Sequence, residues 1–347
     1  MVGGSGNVGT ALLRRLASDE TVTSVAAVAR RVPSGTPPPP YDIASWTGVD
    51  VGEAGADEDV VLRLARAFAG ADAVVHLAWA IQPSHDRRRL ADTNVLGTRR
   101  VLDAALRARV PHVVVASSVG AYSPAPDDVP RSEGWPTEGV PTSDYSVDKA
   151  AQERLLDEVV DAHPDLAVAR IRPALVFQRA AGHEIRRYFL GAFVPARTLG
   201  DTLPFLPWPA GFRLQAVHAD DLALAYREAV VRQARGAFNV AAPDVLRGQD
   251  LADLLADGRL REVPPPLARA ALWTAWRARV APVGPGWLDM AANAPVLDIT
   301  RAVRELDWRP RHTGLEAVAE VVRGIADGAG SASPPLRPRD LRAPLTR

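Results

Sequence analysis

The chain is predicted to fold as an α/β protein, a doubly wound parallel sheet with a smaller, mostly helical C-terminal substrate-binding region. Three observations predict it. Short apolar runs alternate with helical patterns through the first half of the chain. Those runs are continuously apolar rather than alternating, as in strands covered on both faces. A glycine triplet, Gly3, Gly6 and Gly9, opens the chain and leads directly into a helical stretch, as a strand–turn–helix unit requires.

In chain order, "TALLRRLAS" (10–18) reads as the first helix and "SVAAVAR" (24–30) as a buried strand. Four prolines at 37–40 mark an exposed loop. "DVVLRLARAFAG" (59–70) carries one apolar face and reads as a helix, followed by the strand "DAVVHLAWA" (72–80). The helix "NVLGTRRVLDAALRA" (94–108), the strand "HVVVASSV" (112–119), the helix "SVDKAAQERLLDEVVDA" (146–162) and the strand "LAVARIRPALVF" (166–177) continue the pattern. After Phe177 it loosens, and residues 178–213 are rich in aromatics, Pro and Gly. A strand-like "RLQAVHADD" (213–221), a helix (222–233) and "AFNVAA" (237–242) return to the earlier style, and 244–325 is mostly helical with proline-rich joints. Residues 1–177, returning at about 214–242, are therefore assigned to a dinucleotide-binding domain. Residues 178–213 and 243–327 form the substrate-binding region, and the low-complexity tail 328–347 is expected to be disordered.

Bulk properties narrow the function. With 347 residues the chain is long enough for a sizeable core. A formal net charge of +0 argues against a general nucleic-acid binder. With Cys 0 there is no disulfide framework and no thiolate metal site, which suits the cytoplasm. No run approaches ~18 consecutive apolar residues, so no membrane span is expected. The expected partner is a small-molecule substrate, and a homodimer is an open assembly state.

The glycine triplet lets backbone N–H groups and a helix N-terminus approach a pyrophosphate, and Gly9 lets helix and strand pack closely. The next strand ends "VARR". An acidic residue there would read the ribose 2′-OH of NAD, whereas arginine suits the 2′-phosphate of NADP. Arg30 and Arg31 thus favour NADP, with NAD the alternative. Asp50, in "TGVDV", is placed to meet the adenine amino group.

Lys149 is the only lysine among 41 Lys and Arg residues. Chance survival in an arginine-rich chain is one account of it. The other is chemical: an ammonium is a compact charge with a movable pKa, which a guanidinium is not. Tyr145 lies four residues earlier, on the same helix face. A nearby ammonium would lower the tyrosine pKa towards neutral and could hold a ribose. Ser118 closes an apolar strand and would polarise a carbonyl that Tyr145 protonates.

These stretches, with "VVHLA" (74–78), "NVLGTRRVLDAA" (94–105), "IRPALVF" (171–177), "LQAVHADDLA" (214–223), "GAFNVAA" (236–242) and "DITRAVRELDWRP" (298–310), resemble the extended short-chain dehydrogenase/reductases, the NAD-dependent epimerase/dehydratase family. The likeness covers about residues 1–325. It implies a Rossmann fold and a catalytic set of Ser118, Tyr145 and Lys149, Ser118 being preferred to Ser117 because it lies four residues before Tyr122. It also implies a cofactor site of Gly3, Gly6, Asn7, Val8, Gly9, Arg30, Arg31, Asp50, Val51, Leu77, Ala78, Asn94, Tyr145, Lys149 and Pro173. Within it, Leu77 and Ala78 line the cofactor, Pro173 contacts the nicotinamide side and Asn94 stabilises the central helix. Hydride transfer to or from a carbonyl or carbinol carbon is the implied chemistry. A non-catalytic NAD(P) sensor on the same fold is the rival.

Two further readings concern the substrate. Arg179, Arg186, Arg187 and Arg197 could supply charge for a nucleotide-sugar diphosphate. The apolar stretch 188–212 suggests a hydrophobic ketone or alcohol instead. The tryptophans at 208, 273, 276 and 287 read equally as a substrate pocket or as core. His218 and Asp221 are read as structural, Asp221 capping the next helix, and His76 as a core or cofactor-lining residue; no metal site is expected. Only Met1 and Val2 precede Gly3, fewer than a central strand needs, so a natural start several residues upstream is expected.

Overall fold

In a computed structural model the described residues are 1–32, 35–81, 86–190 and 202–338. Asn7–Leu16 forms α1, Val25–Ala29 β1, Ala44–Gly48 β2, Asp57–Phe68 α2 and Val74–His76 β3. The short α3 (Arg87–Ala91) passes through a π-helical turn (Asp92–Leu96) into α4 (Gly97–Arg107). β4 (His112–Ala116), α5 (Asp144–Ala162), β5 (Ala167–Pro173) and β6 (Leu175–Phe177) follow. Then come α6 (Gly182–Ile185), a second π turn (Arg186–Leu190), β7 (Leu206–Pro209), β8 (Arg213–Leu214), β9 (Ala216–His218), α7 (Ala219–Val231) and β10 (Gly236–Val240). The remainder comprises β11 (Leu246–Arg247), α8 (Gly248–Leu255), β12 (Leu260–Val263), α9 (Pro265–Arg277), α10 (Pro285–Asn293), α11 (Thr300–Glu305) and α12 (Gly314–Ala326).

The main sheet is wholly parallel. β10, β5, β4 and β3 pair in that order, and β1 pairs with β2. Residues 1–2 join the two halves. Val2 bridges Val28 of β1 and His76 of β3, its N–H donating to the Val75 carbonyl and its own carbonyl accepting from Leu77, both at 2.8 Å. Among the described residues the strand ahead of the glycine loop is this pair alone. The order reverses at Val2, so a crevice opens at the carboxyl ends of the strands there, where α/β folds bind ligands.

Each face is sealed by helices. On one, Val60 and Leu64 of α2, Val101 and Leu102 of α4, and Leu155 and Leu156 of α5 pack on the sheet. On the other, Leu12 of α1, Leu222 and Tyr226 of α7 and Trp308 pack on Val114 and Phe238. That double cover is why the strands read as unbroken apolar runs.

Two expectations change. The run 166–177 is not one strand: after Pro173 the chain leaves the main sheet, and β6 pairs with β9. Pro173 has no N–H to continue a ladder, and Ala174 donates to Val240 instead. The tail is ordered in turns as far as residue 338, contrary to the expected disorder. Ser333 and Leu336 are buried, the Tyr41 hydroxyl lies 2.7 Å from Ser331, and Arg187 donates to the Pro335 carbonyl. Residues 339–347 lie outside the described residues.

Candidate active site

The crevice at the reversal is lined by Gly3, Gly6, Arg30, Arg31, Asp50, Val51, Leu77 and Ala78, all expected from the sequence. The glycine turn is shaped for a close approach. Gly3 has φ +86°, and a Cβ there would lie 2.6 Å from the Ala78 nitrogen. A Cβ on Gly9 would lie 2.6 Å from the Gly3 carbonyl oxygen, so only glycine lets α1 start this near the turn. Asp50 turns one carboxylate oxygen back to the Gly52 N–H and stands 4.0 Å from Arg30. Both arginines are exposed.

Asn7, Val8, Gly9, Asn94, Tyr145, Lys149 and Pro173, also expected at the cofactor, do not line the crevice. Asn7 is bonded to Gln178, which donates to its side-chain oxygen at 2.6 Å, and Val8 packs into the core beside it. Pro173 is buried at the end of β5. Asn94 is buried in the π-helical turn and clamps the loop after β3. Its carboxamide accepts from the Ala80 N–H at 2.7 Å and donates to the Ala80 carbonyl at 3.2 Å. It also donates to Asp148 of α5, so it ties the crevice wall to the helix carrying Tyr145 and Lys149. The extra residue of a π turn is what aims it inward, a feature frequent at functional sites.

β4 and α5 bring Ser118, Tyr145 and Lys149 to the carboxyl edge of the sheet. Ser143 caps α5, its side chain accepting from the Ser146 N–H, and this cap fixes Tyr145 in the first turn. Ser117 and Ser118 part company. Ser117 donates to Glu153 at 2.5 Å inside a buried cluster with Arg170 and Arg172. Ser118 accepts from the Gly120 N–H at 3.0 Å, and its hydroxyl favours the ionised form of the Tyr145 phenol.

The expected lowering of the Tyr145 pKa by Lys149 is not what the structure gives. Burial pushes the phenol up to about 12, and Ser118 alone counters it. Lys149 is itself enclosed. Its Nζ donates to the Ala116 carbonyl at 2.7 Å and to Gln152 at 3.1 Å, and lies 3.4 Å from the centroid of the Trp79 ring. Burial holds its pKa well below the ordinary lysine value, with Glu153 and Asp148 acting the other way.

The missed residues are mostly aromatic. Trp79 lines the crevice, faces Lys149 and meets Tyr145 edge-on at 6.1 Å. It directly follows "VVHLA", and that adjacency was the available signal. Trp287 of α10 lies 5.0 Å from the Tyr145 ring, with Phe189 edge-on to Trp287 at 5.2 Å. Of the four tryptophans weighed as pocket or core, Trp208 packs on Phe212 and Trp273 is half exposed. Glu184 and Tyr188, from the expected substrate-binding region 178–213, and Pro335, from the expected tail, close the crevice. Burial pushes the Glu184 carboxyl up to about 7.

His218, not Asp221, caps α7, accepting from the Asp220 N–H. Asp221 accepts from the backbone of Arg311 and His312, tying α7 to the late segment. His76 is buried against Thr98 at 3.0 Å and kept neutral, its pKa pushed down to about 3 by burial and by Lys149. Among the described residues no group of three His, Cys, Asp or Glu could hold a metal, and no helix is long and apolar enough to cross a membrane.

Comparison with known proteins agrees with this geometry. The model of the NAD dependent epimerase/dehydratase family matches residues 1–241. An uncharacterized protein of Sinorhizobium fredii is 24% identical over 261 residues, 74% of this chain and 63% of its own. Sterol demethylase protein B of Methylococcus capsulatus is 29% identical over 177 residues, 51% of this chain and 50% of its own. The chain thus spans less than two thirds of either curated relative. The crystal structure of a dTDP-glucose 4,6-dehydratase from Streptomyces venezuelae, with NAD bound, superposes with TM-score 0.68 at 22% identity, covering 97% of this chain and 98% of that one. From its glycine turn, its parallel sheet and the match over residues 1–241, this chain belongs to the NAD-dependent epimerase/dehydratase family.

Proposed function

We propose that the chain is an NAD(P)-dependent oxidoreductase acting on a carbonyl or secondary alcohol, with Ser118, Tyr145 and Lys149 as its reacting set. The observation that carries this reading is that β4 and α5 deliver Ser118, Tyr145 and Lys149 to one edge of the sheet, beside a crevice whose Gly3 and Gly9 have no room for a Cβ. The residues present fit a dinucleotide. Gly3 and Gly6 would hold its pyrophosphate, Asp50 and Arg30 its adenosine, and Lys149 its nicotinamide ribose.

When bound, such a cofactor supplies or accepts a hydride. The protein handles the proton. A phenol pushed up to about 12 is protonated at neutral pH, so Tyr145 stands ready to donate to a carbonyl oxygen in the reducing direction. Ser118 Oγ orients that oxygen. Trp79 and Trp287 flank the phenol and keep water from its ring. Arg30 and Arg31 support NADP as the preferred cofactor, while NAD is what the solved dehydratase holds.

The test is nicotinamide absorbance with the purified chain over ketones, aldehydes, alcohols and sugar nucleotides, supplying both cofactors. Substrate-dependent change that is lost in Tyr145→Phe supports the reading. Tight cofactor binding without turnover on any of them favours the sensor.

A further inference from the structure

A second cavity adjoins the catalytic edge. Its wall includes Val119, Leu175, Leu214, Val245, Met290 and Val296. Val119 follows Ser118 in sequence. The Met290 sulfur and the Tyr145 ring crowd the same spot: a Cβ on Gly120 would lie 2.9 Å from one and 2.8 Å from the other. Met290, which lines the cavity, and the Tyr145 ring thus stand on either side of Gly120, so the cavity neighbours the reacting groups.

Its two polar wall residues are already engaged. Arg213 is buried and donates to the carbonyls of Ala125 and Pro126, both at 2.9 Å, and to those of Asp127 and Ala294. Its Nε lies 3.0 Å from the Asp128 carboxylate. Gln215 accepts from the Leu297 N–H at 2.7 Å and donates to the Ala242 carbonyl at 3.3 Å. Among the described residues no other cation lines this wall. A diphosphate placed here would lose its hydration without gaining a charged partner, a costly exchange. Elsewhere Arg179 is paired with Asp327 and Arg187 with Tyr188 and Pro335; Arg197 lies outside the described residues.

Resting on the proposed activity, we infer that this cavity takes the body of the substrate and selects an uncharged, apolar ketone or secondary alcohol over a nucleoside-diphosphate sugar. Burial of a methylene in an apolar wall is worth about 0.8 kcal/mol, roughly a fourfold gain in affinity.

The experiment uses the full chain with saturating cofactor and a series of 4-alkylcyclohexanones of increasing chain length. The expected result is a KM that falls by roughly fourfold per added methylene until the cavity is full, with no competition from UDP or UDP-glucose. Val245→Asp, on the half-buried wall, should abolish that gradient while cofactor affinity, measured separately, is retained. If no ketone is turned over, the proposed activity fails, and the inference is read by binding of the uncharged dye N-phenyl-1-naphthylamine. Displacement of the dye with the same chain-length gradient, lost in Val245→Asp, supports it. Absence of dye binding, a flat gradient, or competition by UDP overturns it.

Discussion

The ammonium of Lys149 sits 3.4 Å from the centre of the Trp79 indole, on the face of a ring whose edge meets Tyr145. The aromatic face, the Ala116 carbonyl and the Gln152 amide oxygen together give a buried cation three partners suited to a small charge. A guanidinium is planar and larger, and cannot replace an ammonium in that space.

Lys149→Arg is therefore expected to lower turnover by at least about 10²-fold, the scale of a lost acid–base contribution, although charge is retained. Steady-state rates of the purified variant check this; near-normal turnover would return Lys149 to a chance survivor in an arginine-rich chain.

The phenol of Tyr145 sets a pH dependence. Its folded pKa is raised to about 12 by burial, so the protonated form persists throughout the neutral range. Carbonyl reduction should be flat between pH 6 and pH 9 with respect to this group. Alcohol oxidation needs the phenolate, and its kcat/KM should climb about tenfold per pH unit over the same interval. A plateau in the oxidation profile below pH 9 would mean that Lys149 swings towards Tyr145 once cofactor is bound.

The proposed NADP preference rests on the two arginines after β1. Arg30 and Arg31 line the crevice and are exposed, and among the described residues Arg30 is paired with Asp50 at 4.0 Å. Hydrogen bonds to charged groups contribute about 1.5–3 kcal/mol. Arg30→Ala should thus weaken NADP binding by roughly tenfold or more and leave NAD nearly unchanged, as dissociation constants would show. Tighter binding of NAD by the unaltered chain would overturn the preference.

Stability in acid should hinge on Glu153. It is fully buried, accepts from Ser117, Arg170 and Arg172, and its pKa is held at about 2. Burial acts to raise it, and the hydrogen bonds and charge of Arg172 lead the opposing effects. The folded pKa lies below the unfolded value of 4.5. Stability from this group is therefore complete above pH 4.5 and lost as pH falls towards 2. Glu153→Gln leaves the Arg172 charge uncompensated, while Arg170 keeps Asp157 at 2.6 Å; it should cost roughly 3–5 kcal/mol, with a flatter acid limb in denaturant titrations. An unchanged midpoint would show the cluster to be dispensable.

The sequence alone determined the parallel strands, the glycine turn and the placing of Ser118, Tyr145 and Lys149 after them, because each is a local property. Apolar runs report strands covered on both faces, glycine reports a turn without room for a Cβ, and spacing on one helix places Tyr145 beside Lys149. The tertiary structure decided what depends on residues far apart in the chain. It gave Ser117 to Glu153 and left Ser118 for Tyr145, 36 and 27 residues away by position. It directed Lys149 onto Trp79, so that burial rather than the ammonium governs the tyrosine pKa. It folded residues 328–338, part of the low-complexity tail, back so that Pro335 lines the crevice, and it committed Arg213 to backbone carbonyls. Charge and burial at a site depend on which distant groups the folded chain brings together, and sequence spacing does not carry that.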